Sequence, residues 1–285
     1  MTRLTTDLIN EVSCSLDDRD RDLVRNIGLT LKGLALRTVC PTMNDLDLSH
    51  LRAAAIPVSS GDGVIPTFSH SVCAIAQHMG LDCFVTENSD VAGMAEAITA
   101  GVDILFMADD KEFIALNIRN GKYVSNTNST ALGYCSVIEA ALGNLSGKEV
   151  LVIGAGRVGS VAIKHLKSRG AIVKLLESDA EKASRAVREL GVILVSDFRS
   201  GIAEARIILN AAPVAIPGTW ITEGTIISTP GVPYGFDAEG ERRARMIVHD
   251  PLQIGVAVMT VWCASFSRSA ISEPQVAPMA IEVLE

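Results

Sequence analysis

Aromatic side chains are scarce in this chain of 285 residues, at 4%. Aliphatic residues must therefore fill any core. Cysteine is present but unpatterned. Cys14, Cys40, Cys73, Cys83, Cys135 and Cys263 form no CxxC pair and no metal-ligand spacing, so they read as reduced, packed thiols. His50, His70, His78, His165 and His249 show no ligand spacing either, and no metal is expected. No long Lys/Arg block occurs, and the net charge is −8. A phosphate-tracking surface is thereby excluded, and nucleic acid is not an expected partner. No uninterrupted apolar run reaches the roughly 18 residues of a spanning helix, so no membrane association is expected. The opening MTRLTTDLINEVSC lacks the basic start and apolar core of a signal peptide, and a cytoplasmic location is expected. A nucleophile elbow is missing as well, which removes hydrolase readings.

What remains is an apolar, aliphatic chain. Hydrophobic residues make up 48% and charged residues 20%, enough for a large core in about two domains. Leu4, Leu8, Ile9 and Val12 recur at helical spacing. Ser15 and Thr30 are placed to cap two further helices, the second stopped by Pro41. Strand signals at 54–59, 82–87 and 103–108 alternate with helix signals at 69–80 and 90–101, a pattern that predicts parallel βαβ units. Asp109 follows the third strand at once. With Glu112 it forms a D-x-x-E pattern that would cap a helix starting at Lys111, and Asp110 is a second cap candidate. A helix ending near Leu142 should bridge to a second lobe.

The second lobe opens with an apolar strand, EVLVI, then Gly154-Ala155-Gly156-Arg157-Val158-Gly159, a helix ended by Gly170, and a strand ending at Glu177. In this context the GxGxxG run is a strong dinucleotide signal. Gly154 permits the tight turn, Gly156 lets a pyrophosphate approach the backbone, and Gly159 lets helix and strand pack. The helix N-terminus offers N–H groups and partial positive charge. Glu177 should accept from the adenosine ribose hydroxyls and repel a 2′-phosphate, which favours NAD over NADP; Arg157 is a further phosphate contact. Later strands end at Ala211-Ala212-Pro213 and Pro230-Gly231, expected near the ribose and nicotinamide. Ile254-Gly255 opens a last helix, where backbone groups could meet the nicotinamide carboxamide. The expected fold is thus α/β, with a doubly wound Rossmann sheet at 146–267. A small α/β lobe with a bridging helix precedes it at 54–145, after a helical region at 1–53. The stretch 268–285 reads as a tail.

Beyond the glycine loop, several segments resemble the PylD family of dehydrogenases that complete pyrrolysine biosynthesis. These are IPVSSGDGVI (56–65), FSHSVCAIAQHMGLDCFVTENSDVAG (68–93), ILFMADDKEF (104–113), NGKYVSN (120–126), STPGVP (228–233) and DPLQIG (250–255). They keep family order from about Leu4 to Ser267. The resemblance implies a substrate held between two lobes, Nε-(3-methyl-D-ornithyl)-L-lysine, whose terminal amine is oxidised by NAD before ring closure with loss of ammonia. It implies a functional acid at Asp109 and substrate contacts by Leu4, Val58, Ser60, Phe68 and Ala108, with Leu4 on a helix that closes over the cleft. A homodimer is compatible with this reading. A shikimate- or methylenetetrahydrofolate-type dehydrogenase shares the two-lobe plan but needs a well-placed Lys near the first-lobe active site, and no matching Lys stands before the second helix of that lobe. A non-catalytic NAD sensor would call for an effector domain, and none is visible.

Overall fold

Residues 4–43 and 45–267 are described in a computed structural model of the chain. The tail expected at 268–285 lies outside them. Three helices come first: α1 (Thr6–Ile9), α2 (Leu16–Ile27) and α3 (Leu31–Val39). Leu4 precedes α1 rather than lying on it, which corrects the expectation of a Leu4-bearing helix. Thr30 does cap α3, its hydroxyl accepting from the Gly33 amide. Ser15 stands at the N-cap of α2 but makes no side-chain cap; its hydroxyl donates to the Val12 carbonyl.

The first sheet is built from β1 (Arg52–Ile56), α4 (Phe68–His78), β2 (Asp82–Val85), α5 (Asp90–Thr99) and β3 (Ile104–Ala108), and closes with β4 (Phe113–Asn117) and β5 (Lys122–Ser125). Its order is β2-β1-β3-β4-β5. β1 pairs in parallel with β2 and β3, as the alternating pattern predicts, while β3–β4 and β4–β5 are antiparallel. The helix expected from Lys111 is therefore absent. FIALN alternates buried and half-buried positions, the period of a strand, and it finds an open edge on β3. The capping pattern of Asp109 serves a hairpin turn instead.

A long helix, α6 (Asn126–Leu142), leads to the second sheet: β6 (Glu149–Ile153), α7 (Arg157–Ser168), β7 (Ile172–Leu176), α8 (Ala180–Arg185), β8 (Ile193–Leu194), α9 (Phe198–Glu204), β9 (Ile207–Asn210), β10 (Ile226–Ser228), α10 (Ala238–Arg243) and β11 (Met246–Val248), before α11 (Gln253–Ser265). The order β11-β10-β9-β6-β7-β8 is wholly parallel. Numbered from β6, this is the doubly wound order, with its switch point between β6 and β9.

The two lobes share one core. α11 packs on α3 and α6, and its apolar residues join those of the N-terminal helices and of the first sheet. Gly133 and Gly255 make this seam close. A Cβ on Gly133 would lie 2.5 Å from Ile254 Cγ2, and one on Gly255 would lie 2.5 Å from Thr130 Oγ1. A buried network ties the seam to the end of β11. The Tyr134 hydroxyl donates to the Asp250 carbonyl and accepts from the Asp250 amide, each at 2.8 Å. Asp250 Oδ1 accepts from the Leu252 and Ile254 amides at the start of α11. Burial and the nearby Asp250 charge push the Tyr134 phenol well up, so it stays protonated. Tyr134→Phe would leave a buried amide and carbonyl without a partner. It is expected to destabilise the chain by about 1–3 kcal/mol, measurable by urea denaturation. A loss below the scatter of the wild-type curves would mean that water replaces the hydroxyl.

Candidate active site

The glycine loop follows β6 as the sequence requires. Gly154 has φ +90°, and a Cβ there would sit 3.0 Å from Ala212 Cβ. At Gly159 a Cβ would reach 2.0 Å from the Gly154 carbonyl oxygen, so only glycine lets α7 rest on the loop. Gly156 differs. Its φ is −69°, and a Cβ would meet nothing within 4 Å. That open space lies at the N-terminus of α7, whose first amides have no helical partner. It is a cradle that a side chain would fill, and it suits a pyrophosphate. Val158 is half-buried beside it.

Glu177 stands just past β7. Its Oε2 accepts from the Ala155 amide at 2.6 Å, and its Oε1 accepts from Asp179 at 3.0 Å. The carboxylate thus abuts the loop and keeps lone pairs for ribose hydroxyls. The strand-end loops converge on the same place. The Ala211 amide donates to Ile153, and Asn210 Oδ1 accepts from Ala212. The Gly231 amide donates to Asn210, and a Cβ on Gly231 would lie 2.5 Å from the Ala212 carbonyl oxygen. Pro213 and Pro230 flank these contacts. Ile254 and Gly255, also expected at the cofactor, open α11 in its seam with α6, where Ile254 is fully buried and a Cβ on Gly255 would meet Thr130 and Asn126.

In the first lobe, Val58, Ser60, Phe68, Ala108 and Asp109 gather at the carboxyl ends of β1 and β3. Phe68 and Ala108 line a narrow apolar recess with Ile56, Phe106 and Phe113, and the Phe68 and Phe113 rings meet edge to face at 5.2 Å. Val58 and Ser60 lie on the loop after β1. Two acids that the sequence did not single out for this task fasten that loop. Asp90 accepts from the Ser59 amide and hydroxyl. Asp110, expected as a helix cap, accepts from the Asp62 amide at 2.7 Å. No sequence signal links either pair, because the partners lie 31 and 48 residues apart. Leu4 packs, half-buried, against the core of this lobe.

Asp109 is exposed at the turn from β3 to β4. Its Oδ1 accepts from the Lys111 and Glu112 amides, both at 2.8 Å. These amides, with the Lys111 charge, hold its carboxyl below the usual carboxylate range. The turn reaches the glycine loop of the other lobe. Arg157, the first residue of α7, donates to the Lys111 carbonyl and pairs with the Glu112 carboxylate. The arginine expected on phosphate thus also spans the gap. A separate cavity of about 450 Å³ opens among Lys148, Lys174 and Arg206. It lies at the amino ends of the strands, away from the edge where doubly wound sheets take ligands.

Known proteins can be set beside this geometry. The pyrrolysine synthase of Methanosarcina barkeri is 33% identical, over 91% of this chain and 97% of its own length. That of Methanosarcina acetivorans is 32% identical over 91% and 98%. The chain belongs to the pyrrolysine synthase family. Family descriptions match piecewise as well: the N-terminal domain of the pyrrolysine biosynthesis protein PylD covers residues 9–124, and shikimate/quinate 5-dehydrogenase covers 136–223. The shikimate 5-dehydrogenase of Thermus thermophilus, solved with shikimate, aligns with 79% of this pyrrolysine synthase relative and 95% of its own chain, at 16% identity and a TM-score of 0.50. An Ael1 enzyme from Pseudomonas putida aligns with 78% and 95%, at 16% identity and 0.51. These two likenesses concern the fold. Within the pyrrolysine synthase family the chain is an oxidoreductase of the NAD(P)-dependent dehydrogenase class. Among the described residues, no helix is long and apolar enough to cross a membrane, and no cluster of His, Cys, Asp and Glu could hold a metal ion.

Proposed function

We propose that this chain uses NAD to oxidise the terminal primary amine of Nε-(3-methyl-D-ornithyl)-L-lysine and thereby forms pyrrolysine. One observation carries the reading: the acidic turn at Asp109 and the glycine cradle, on different lobes, touch through Arg157. A substrate lying between them has a carboxylate on one side and a dinucleotide site on the other.

The nicotinamide ring, when bound, supplies the hydride acceptor. The residues of the chain do the rest. Gly154, Gly156 and Gly159 shape the phosphate cradle, Arg157 and the α7 amides add positive charge, and Glu177 holds the ribose. The loops at Ala211–Pro213 and Pro230–Gly231 border the inner half of the site. Val58, Phe68 and Ala108 contact the apolar parts of the substrate, Leu4 covers it from the N-terminal side, and Ser60 meets a polar group. Asp109 attracts and orients the terminal ammonium. Its depressed pKa keeps it ionised but makes it a weak base, so it orients the ammonium while the proton passes to solvent. The neutral amine can then drive C=N formation as hydride leaves the adjacent carbon. The α-amine attacks that imine, ammonia departs, and a pyrroline ring closes.

The direct test mixes the protein, NAD⁺ and the amine, and follows NADH absorbance together with product mass. One NADH per pyrrolysine is expected; NADH without ring product, or neither, sinks the proposal. The cofactor preference is checked separately. Glu177→Ser is expected to weaken NAD and to narrow its margin over NADP by about tenfold, since a carboxylate repelling the 2′-phosphate is removed. Equal affinities for both dinucleotides in the wild type would remove Glu177 from this role.

A further inference from the structure

One turn of four residues is gripped from two sides. Asp109 accepts from the amides of Lys111 and Glu112. Arg157, reaching from the glycine loop 45 residues later, takes the Lys111 carbonyl and the Glu112 carboxylate. We propose that Glu112 is a positioning residue: paired with Arg157, it straps the Asp109 turn to the dinucleotide cradle and so sets the distance between carboxylate and cofactor. This rests on the reading of the site given above.

Stability does not explain such a strap. Both side chains are about half exposed, at 45% and 52%, and exposed ion pairs add little to folding. Register does explain it. Asp109 sits on the first lobe and the glycine loop on the second, and a misplacement of about 1 Å between reacting groups can cost on the order of 10²-fold in rate. Arginine suits the task because its planar fork presents several donors at once, here to a carbonyl and a carboxylate. Lysine would hold one of the two. The same guanidinium lies at the N-terminus of α7, so it retains donors for a phosphate. The strap then ties the cofactor to the turn through one side chain.

The test uses the full chain with Glu112→Gln, Glu112→Ala and Arg157→Lys. For Glu112→Ala, kcat should fall about tenfold while the NAD Kd stays within about twofold, and Glu112→Gln should lie between it and wild type. Hydrogen exchange at the Lys111 and Glu112 amides should quicken about tenfold in Glu112→Ala, because those amides hold Asp109. Arg157→Lys should slow turnover and also weaken NAD. Wild-type kcat and exchange in Glu112→Ala would overturn the strap. So would a loss confined to NAD affinity, which would make Glu112 a support of the cofactor loop only. If Glu112→Ala fails to fold, the isosteric Glu112→Gln decides by the same two readouts. If the wild type itself does not reduce NAD with the amine, the proposed function falls, and amide exchange alone decides whether the turn is strapped.

Discussion

Asp109→Asn is expected to lower turnover of the amine by about 10²–10³-fold while NAD affinity stays within about twofold. The substitution is chosen for what it keeps. Asparagine retains an Oδ1 that can accept from the Lys111 and Glu112 amides, so the hairpin turn persists. Only the charge is lost, and with it the attraction that places the ammonium. Alanine would confuse this result, because it also releases the two amides. The pH dependence follows from the direction of the shift. Backbone donation lowers the Asp109 pKa, so the carboxylate is ionised above the ordinary carboxylate range. A depressed folded pKa means that its hold on the turn is complete at neutral pH and is lost only as pH falls through that lowered value. No acid limb from Asp109 should therefore appear between about pH 6 and 9. Over that window kcat/KM should climb with pH, as the substrate ammonium, with a pKa of about 10, loses its proton. The Asn variant should show the same climb at a lower level. Turnover within twofold of wild type would remove Asp109 from the reaction.

Gly156→Val should weaken NAD binding by about 10²-fold or more and leave the fold intact. The two parts of this expectation come from one measurement. A Cβ at Gly156 meets no atom of the chain, and the backbone there is extended, so valine is tolerated without cofactor. The same empty space is where a pyrophosphate must approach the α7 amides, and an isopropyl group would occupy it. Gly159→Ala gives the contrast. Its methyl would lie 2.0 Å from the Gly154 carbonyl oxygen, so the loop or α7 must move before any ligand arrives. That variant should lose thermal stability as well as affinity. Calorimetry on both variants, with and without NAD, separates the cases. If Gly156→Val binds NAD as tightly as wild type, the cofactor does not sit on this cradle.

The pattern of agreement has physical causes. The glycine loop was legible because every residue in it answers a local demand, and a local demand leaves a short, spaced motif. The parallel strands β1, β2 and β3 were legible because helices between them repeat at fixed spacing. β4 was not. Its D-x-x-E prefix satisfies a helix cap and a hairpin turn equally well, and the choice fell to the free edge of β3, which no local signal describes. Leu4 lay outside its expected helix because α1 is only one turn long and its start has no side-chain cap. The close packing of α6 on Ile254 and Gly255 was not legible either, because it joins residues far apart in the chain.

The amino-acid sequence determined the class of fold, the glycine loop at the start of α7 and the place of the acid after the third strand, since each depends on residues within a few positions of one another. Only the tertiary structure decided that Asp110 and Asp90 anchor the Ser59–Asp62 loop, that α11 joins both lobes, and that Glu112 meets Arg157. Those contacts join residues dozens of positions apart. Long-range contacts are set by how the lobes pack, and packing energy is distributed over many side chains, so no single stretch of sequence records it.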